Sequence, residues 1–217
     1  MILPIYKPVG WTSFDVVKKV RSITGERKVG HGGTLDSFAE GVLVLALGKD
    51  TKRLASVIQS AKTYVAKLQL GTETTTLDPE GEVTAVQPVA DLTNETIRTC
   101  LTAFVGEQEQ TPPMFSAKKV KGIPLYKLAR KQITIDRKPV KIEIKSLKLI
   151  AYEPYLLTFE VTCSKGTYIR VLGKDIARAL GTVGHLVALK RTRVGPYHLQ
   201  DAITLETLTQ QWMSTAS

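Results

Sequence analysis

Three observations predict a mixed α+β fold in which helices flank a largely antiparallel sheet. Two alternating apolar runs, Val140–Ile150 and Leu156–Cys163, read as a pair of strands. Helical periodicity recurs in separate stretches, clearest where Ile169, Leu172, Ile176 and Leu180 share one face. Strands and helices do not alternate in the regular βαβ order of a parallel sheet.

The elements follow in order. Ser13 is placed to cap a helix with Phe14, Val17, Val20 and Ile23 on one face, stopped by Gly25. Residues 26–41, rich in glycine and basic side chains, read as a loop. Gly41–Leu47 is a short apolar run that suits a buried strand, Thr51–Ser60 a helix, and Tyr64–Leu70 an alternating strand. Residues 71–82 read as a polar loop. Thr93 caps a helix that runs through Ile97, Leu101 and Phe104 and ends at Gly106. Pro124 opens a short helix, Leu125–Lys131. Thr167 is placed to cap the helix that ends at Gly181, and a last helix lies near Thr204–Met213. A chain of 217 residues with 43% hydrophobic side chains buries a real core, so one domain over residues 1–217 is expected, with a projecting, proline-marked insertion at about 111–135.

Composition narrows the function classes. No run approaches the roughly 18 apolar residues of a membrane helix, and Met1–Trp11 lacks the apolar core of a signal peptide. Cys100 and Cys163 are the only cysteines and form no paired spacing. A disulfide framework and a structural zinc site are therefore not expected, and a cytoplasmic location is. Charge is unevenly spread. Residues 111–150 carry eleven Lys/Arg against two Asp/Glu, nearly all of the formal net charge of +10, whereas residues 72–110 hold eight carboxylates against Arg98 alone. A neutral body with one basic segment suits a polyanion-binding arm. Pro112, Pro113, Pro124 and Pro139 break that segment, so it cannot be one amphipathic membrane helix.

Nucleotide-hydrolysis motifs fail. Gly48-Lys49 and Gly173-Lys174 are each followed by Asp and lack the preceding glycine of a phosphate loop. His31, His185 and His198 lack metal-ligand spacing. Gly30-His-Gly-Gly-Thr-Leu-Asp36 is the segment that stands out, because three glycines in four residues let backbone approach a bulky partner. Taken by itself, an aspartate in such a loop most often caps a turn.

Four ordered segments carry a resemblance. Lys7-Pro-Val-Gly-Trp-Thr-Ser13, Gly30-His-Gly-Gly-Thr-Leu-Asp36 with the following Gly41-Val-Leu, Pro112-Pro-Met-Phe-Ser-Ala117 with Gly122-Ile-Pro-Leu-Tyr126, and Cys163-Ser-Lys-Gly-Thr-Tyr-Ile-Arg170 resemble, in sequence order, the motifs of the TruB family of tRNA pseudouridine synthases. They span about residues 3–200. The resemblance implies the pseudouridine synthase fold with an RNA-gripping insertion. It implies isomerisation of uridine 55 in the T loop of tRNA, by flipping the base, breaking N1–C1′ and forming C5–C1′. Asp36 matches the catalytic aspartate, Arg170 the arginine that pairs with it, and Tyr64 the tyrosine that stacks on the target base. Tyr168 and Leu189 match residues lining the uracil pocket, and His31 the histidine that fills the space left by the flipped base. Lys118, Lys119, Lys121, Lys127, Arg130 and Lys131 fall in the gripping insertion.

Those residue types suit the chemistry. A base must leave its stack before it can rotate, at a cost of a few kcal/mol, and aromatic stacking returns part of it. An arginine keeps a carboxylate ionised in a closed pocket. No metal or cofactor is expected, since nothing is oxidised and no group is imported, and the enzyme is expected to act as a monomer. Two departures stand out. Ser37 follows the aspartate where the family usually has proline, and the small accessory RNA-binding domain that many bacterial relatives carry is expected to be missing after Ser217. Two other readings stay open: an RNA-binding factor that folds tRNA without catalysis, and the same chemistry on another structured RNA.

Overall fold

The structure is a computed structural model that describes residues 1–120 and 122–215. In chain order, β1 (Ile2–Lys7), α1 (Ser13–Thr24), β2 (Val29–His31), β3 (Glu40–Leu47), a 3₁₀ turn at Gly48–Arg53, α2 (Leu54–Gln59) and β4 (Lys62–Leu70) come first. Then follow β5 (Thr72–Thr74), β6 (Val83–Val86), α3 (Asn94–Thr102), β7 (Gly106–Gln110), β8 (Lys119–Val120), β9 (Ile123–Pro124) and α4 (Leu125–Ala129). The chain continues through β10 (Val140–Glu153), β11 (Leu156–Cys163), α5 (Ile169–Ala179), β12 (Gly184–Val194), β13 (Tyr197–His198) and α6 (Leu205–Thr215). The predicted mixed α+β class, with its largely antiparallel strand pairing, is what these elements form. They fall into two compact units, Met1–Val65 with Leu189–Ser217, and Ala66–Ala188.

In the first unit β3 is the hub. It pairs antiparallel with β1 over Ile2↔Ala46 to Lys7↔Gly41, antiparallel with β2, and parallel with β12 at Lys190↔Glu40 and Arg191↔Gly41. Seven of its eight residues are buried, which fits a strand covered on both faces. One face meets Val16, Val17 and Val20 of α1 with Leu205 and Leu208 of α6, and the other meets Val57 and Val194. Helix α1 starts one residue earlier than the sequence suggested. Thr12, not Ser13, is its N-cap, and forms a reciprocal capping box with Asp15. Ser13 turns inward instead, its hydroxyl held by the backbone of Leu35. Phe14, expected on the buried face, is 54% exposed. The expected loop at 26–41 contains the short strand β2.

In the second unit β10 lies between β11 and β7, both antiparallel to it. The predicted strand pair is present, and β10 runs three residues further, to Glu153. The polar loop expected at 71–82 contains β5, which pairs with β6. Helix α5 buries Ile169, Arg170, Val171, Leu172, Gly173, Ile176 and Ala177. Its N-cap is Tyr168 without a side-chain cap, and the Thr167 hydroxyl donates to Ser164 O instead. Helix α3 has the expected Thr93 cap. Among the described residues no helix is long and apolar enough to cross a membrane.

Candidate active site

The first unit presents Asp36 on the loop between β2 and β3. Glycine is required there by close approach: a Cβ on Gly32 would lie 2.4 Å from Val57 Cγ1. The loop is pinned on both sides of the carboxylate. Leu35, 3% exposed, donates its N–H to Ser13 Oγ (2.9 Å) and accepts at its carbonyl from the same hydroxyl (3.0 Å). The Ser37 carbonyl accepts from the Gly10 N–H (2.8 Å) and from Lys7 Nζ (3.4 Å). Lys7 is fully buried, and its ammonium also donates to the carbonyls of Pro8 (2.8 Å) and Trp11 (2.6 Å). The Lys7–Ser13 motif is thus the mount for the Asp36 motif, and Asp36 sits half-buried between two fixed neighbours.

His31 ends β2, and its Nδ1 accepts from the Gly33 N–H at 3.3 Å. Burial, and secondarily the positive charge of Arg191, hold its pKa below the usual 6.5, so it is neutral at neutral pH. The unfolded chain takes up this proton more readily, so His31 withdraws stability as pH falls below its ordinary titration range. Tyr64 on β4 and Leu189 on β12 are buried, at 8% and 5% exposure. Both belong to the unit that carries Asp36 and His31.

The second unit carries Arg170 in the first turn of α5, 4% exposed. Its Nη1 donates to Thr76 O (2.7 Å) and lies 3.2 Å from an Asp78 carboxylate oxygen, and its Nη2 donates to Phe115 O (2.8 Å). Asp78 accepts in turn from the Thr76 hydroxyl (2.5 Å) and the Glu80 N–H (3.1 Å). Between these anchors Leu77 takes φ 62°, a left-handed conformation rare for leucine, which marks a backbone held by its surroundings. Tyr168 is half-buried, and its backbone is clasped by the buried amide of Gln110, which accepts from Tyr168 N (2.8 Å) and donates to Tyr168 O (3.1 Å). This clasp fixes the backbone at the start of α5.

The basic segment follows Phe115, whose carbonyl accepts from Arg170. Its β8–β9 hairpin and α4 are held by Leu125, fully buried, and by Tyr126 N–H donating to Ser116 O (3.1 Å). Lys119, Lys127, Arg130 and Lys131 are exposed and Lys118 half-exposed, while Lys121 lies outside the described residues. The Arg130 guanidinium lies 5.6 Å from the Tyr126 ring centroid. Among the described residues no group of three or more His, Cys, Asp or Glu is placed to hold a metal ion.

Sequence reasoning missed three residues of these arrangements. Lys7 stood inside a recognised motif but was given no role. Asp78, in Leu77-Asp-Pro-Glu-Gly81, fell within a stretch read only as a polar loop. Arg191, 2% exposed, was given no role, and nothing local marks an arginine as buried.

Comparison with known proteins agrees with the motifs. A model of the TruB family pseudouridylate synthase N-terminal domain matches residues 21–169, and one of the tRNA pseudouridylate synthase B C-terminal domain matches residues 170–217. The chain is 46% identical to tRNA pseudouridine synthase B of Syntrophotalea carbinolica over 95% of its own length and 68% of that protein. It is also 46% identical to the Desulfotalea psychrophila protein of the same name, over 94% and 85%. Among solved structures, a Cbf5–Nop10–Gar1 complex matches with a TM-score of 0.78 and 29% identity, and an H/ACA ribonucleoprotein bound to a substrate RNA containing 2′-deoxyuridine matches with 0.73 and 27%. Each of these covers the whole of this chain, which spans just over half, 56% and 55%, of theirs. Four motifs in order, a loop built to present one carboxylate, and matches along nearly the full length lead to one assignment: the chain belongs to the TruB family of pseudouridylate synthases.

Proposed function

We propose that this protein converts uridine 55 in the T loop of tRNA to pseudouridine, in the cytoplasm and as a monomer, with Asp36 as the reacting carboxylate. The observation that carries this reading is the double pinning of the Asp36 loop at Leu35 and Ser37 by Ser13, Gly10 and Lys7. A reacting group needs that kind of fixed aim, and a turn cap does not. Support for tRNA as substrate comes from relatives that carry the name tRNA pseudouridine synthase B. The uridine leaves its stack, its N1–C1′ bond breaks, and the base rotates so that C5 bonds to C1′. The proton leaves C5 and N1 is protonated, so atoms and electrons balance without cofactor or metal. Arg170 supplies the cation that keeps a reacting carboxylate ionised. Tyr64 stacks on the flipped base, Tyr168 and Leu189 shape the uracil pocket, and neutral His31 occupies the gap left in the loop. Mapping pseudouridine at nucleotide resolution in tRNA from cells with and without the protein tests the assignment. Loss confined to position 55 is expected, and an unchanged position 55 overturns it.

Tyr64→Phe separates stacking from the phenol. The ring stays and the hydroxyl goes, so tRNA affinity is expected to hold within about threefold while turnover falls by roughly a hundredfold or more, the scale of a lost proton-transfer group. Wild-type turnover in this variant would leave Tyr64 a packing residue.

The exposed cations of the arm are expected to meet phosphates of the T stem. Each phosphate contact adds about −0.9 to the log–log slope of affinity against salt on a duplex. Replacing Lys118, Lys119 and Lys127 with alanine should therefore flatten the slope by up to about 2.7 units, by the same proportionality. Fluorescence anisotropy with labelled tRNA over a salt series measures it. An unchanged slope would show that the arm does not grip the RNA.

A further inference from the structure

Arg191 has a geometry that neither packing nor the reaction as described accounts for. It lies on β12 beside Gly41 of β3, where the backbones approach so closely that a Cβ on Gly41 would sit 2.3 Å from Arg191 O. The side chain is 2% exposed. Its Nε donates to Val42 O at 2.7 Å, Nη1 to Thr34 O at 3.2 Å and Nη2 to Gly33 O at 3.2 Å. No carboxylate among the described residues lies within ion-pair distance of it. Taking a guanidinium out of water without a counter-ion costs several kcal/mol, and carbonyl dipoles offset only part of that. A neutral side chain would fill the same volume at less cost, so the cation is held for what its planar fork does. One arm grips the sheet at Val42, and the other two grip consecutive carbonyls two and three residues before Asp36.

We propose that Arg191 is a positioning residue for the Asp36 loop, a buried guanidinium clamp that fixes the Gly33–Thr34 approach and thereby aims the carboxylate. The Lys7, Gly10 and Ser13 contacts fasten the loop at Leu35 and Ser37. Arg191 fastens the side on which the chain enters, where Gly33, at φ 135°, has a conformation that only glycine adopts freely. Without the clamp the Gly33 and Thr34 carbonyls lose their shared anchor and the entry is held by the Gly32 and Gly33 N–H groups alone, and a shift of about 1 Å at a reacting group is enough to cost roughly a hundredfold in rate. The same cation lies close enough to His31 to lower its pKa, which gives the clamp an electrostatic signature independent of turnover. The inference rests on the reading of Asp36 as the reacting carboxylate.

Three variants of the full chain test it. Arg191→Lys keeps the charge but replaces a planar fork by a single ammonium, which cannot span the three carbonyls in the same geometry. Gly33→Ala disturbs the clamp from the loop side and leaves Arg191 untouched; a Cβ there meets nothing within 4 Å, so only the backbone objects. Arg191→Gln removes the charge. For the first two, the expected result is a single-turnover rate reduced by about thirtyfold or more with tRNA Kd within about threefold, a loss confined to the chemical step. In Arg191→Gln the His31 imidazole signal should titrate at higher pH than in the wild type, and in Arg191→Lys close to the wild-type value. If Arg191→Lys does not fold, Gly33→Ala decides. Near-wild-type rates in the clamp variants, with Asp36→Asn inactive, would sink the clamp and leave the proposed function standing. An active Asp36→Asn would sink the reading beneath it. Rate and affinity falling together with the folded fraction would make Arg191 a stability residue only.

Discussion

Asp36→Asn is expected to abolish pseudouridine formation while leaving fold and tRNA affinity nearly intact. The substitution keeps size and hydrogen-bonding capacity and removes the charge that a nucleophile or base requires. The loop's anchors at Leu35 and Ser37 are backbone atoms gripped by Ser13, Gly10 and Lys7, and they remain in place. Release of tritium from C5-labelled uridine reports the reaction directly, because the proton leaves C5 only when the new bond forms. A fall of at least about a thousandfold is expected, some 4 kcal/mol of lost transition-state stabilisation. Tm and Kd should stay close to wild type. Activity within tenfold of wild type would remove Asp36 from the mechanism, and with it the central assignment.

How much of this was legible in the sequence follows from which interactions are local. Helix α3 was readable because its cap, Thr93, and its buried residues, Ile97 and Leu101, obey the 3.6 period. Strand β7 was not, because Gly-Glu-Gln-Glu-Gln pairs with β10 along one side and buries only Gln110. Strand β12 was hidden by Lys190, Arg191 and Arg193, charges that read as surface although Arg191 is buried. The misplaced cap of α1 was a competition between adjacent hydroxyls. Thr12 has an acidic partner three residues on, Asp15, whereas Ser13 has Val16, and that spacing was the signal to follow. Asp36, Tyr64 and Arg170 were visible only through four motifs in order, since each alone is an ordinary residue. Asp78 and Arg191 stayed invisible because their roles consist of contacts with a side chain or carbonyls distant in sequence, which no local pattern encodes.

The other large effect is expected at Arg170, where stability and chemistry can be pulled apart. Arg170→Met keeps length and fills the site but leaves Asp78 buried, its carboxylate stripped of the guanidinium 3.2 Å away, and leaves the Thr76 and Phe115 carbonyls without these donors. Removing one partner of a buried pair costs about 3–5 kcal/mol, more than the pair contributes, because the survivor stays desolvated. Urea unfolding should show that loss, and tritium release should fall by at least roughly a hundredfold, as for other electrostatic groups at a reacting centre. Adding Asp78→Asn to Arg170→Met removes the stranded charge while keeping the acceptor for the Thr76 hydroxyl and the Glu80 N–H. The double variant should therefore recover about half or more of the lost stability, since a neutral amide is far cheaper to bury than a carboxylate. It should recover none of the activity if, as proposed, the Arg170 guanidinium takes part in the reaction, because that cation is still missing. Activity returning in step with stability would show that Arg170 holds the loop and α5 together and takes no part in the reaction. Stability returning without activity would place the guanidinium in the chemistry and assign Asp78 the task of keeping it buried, charged and aimed.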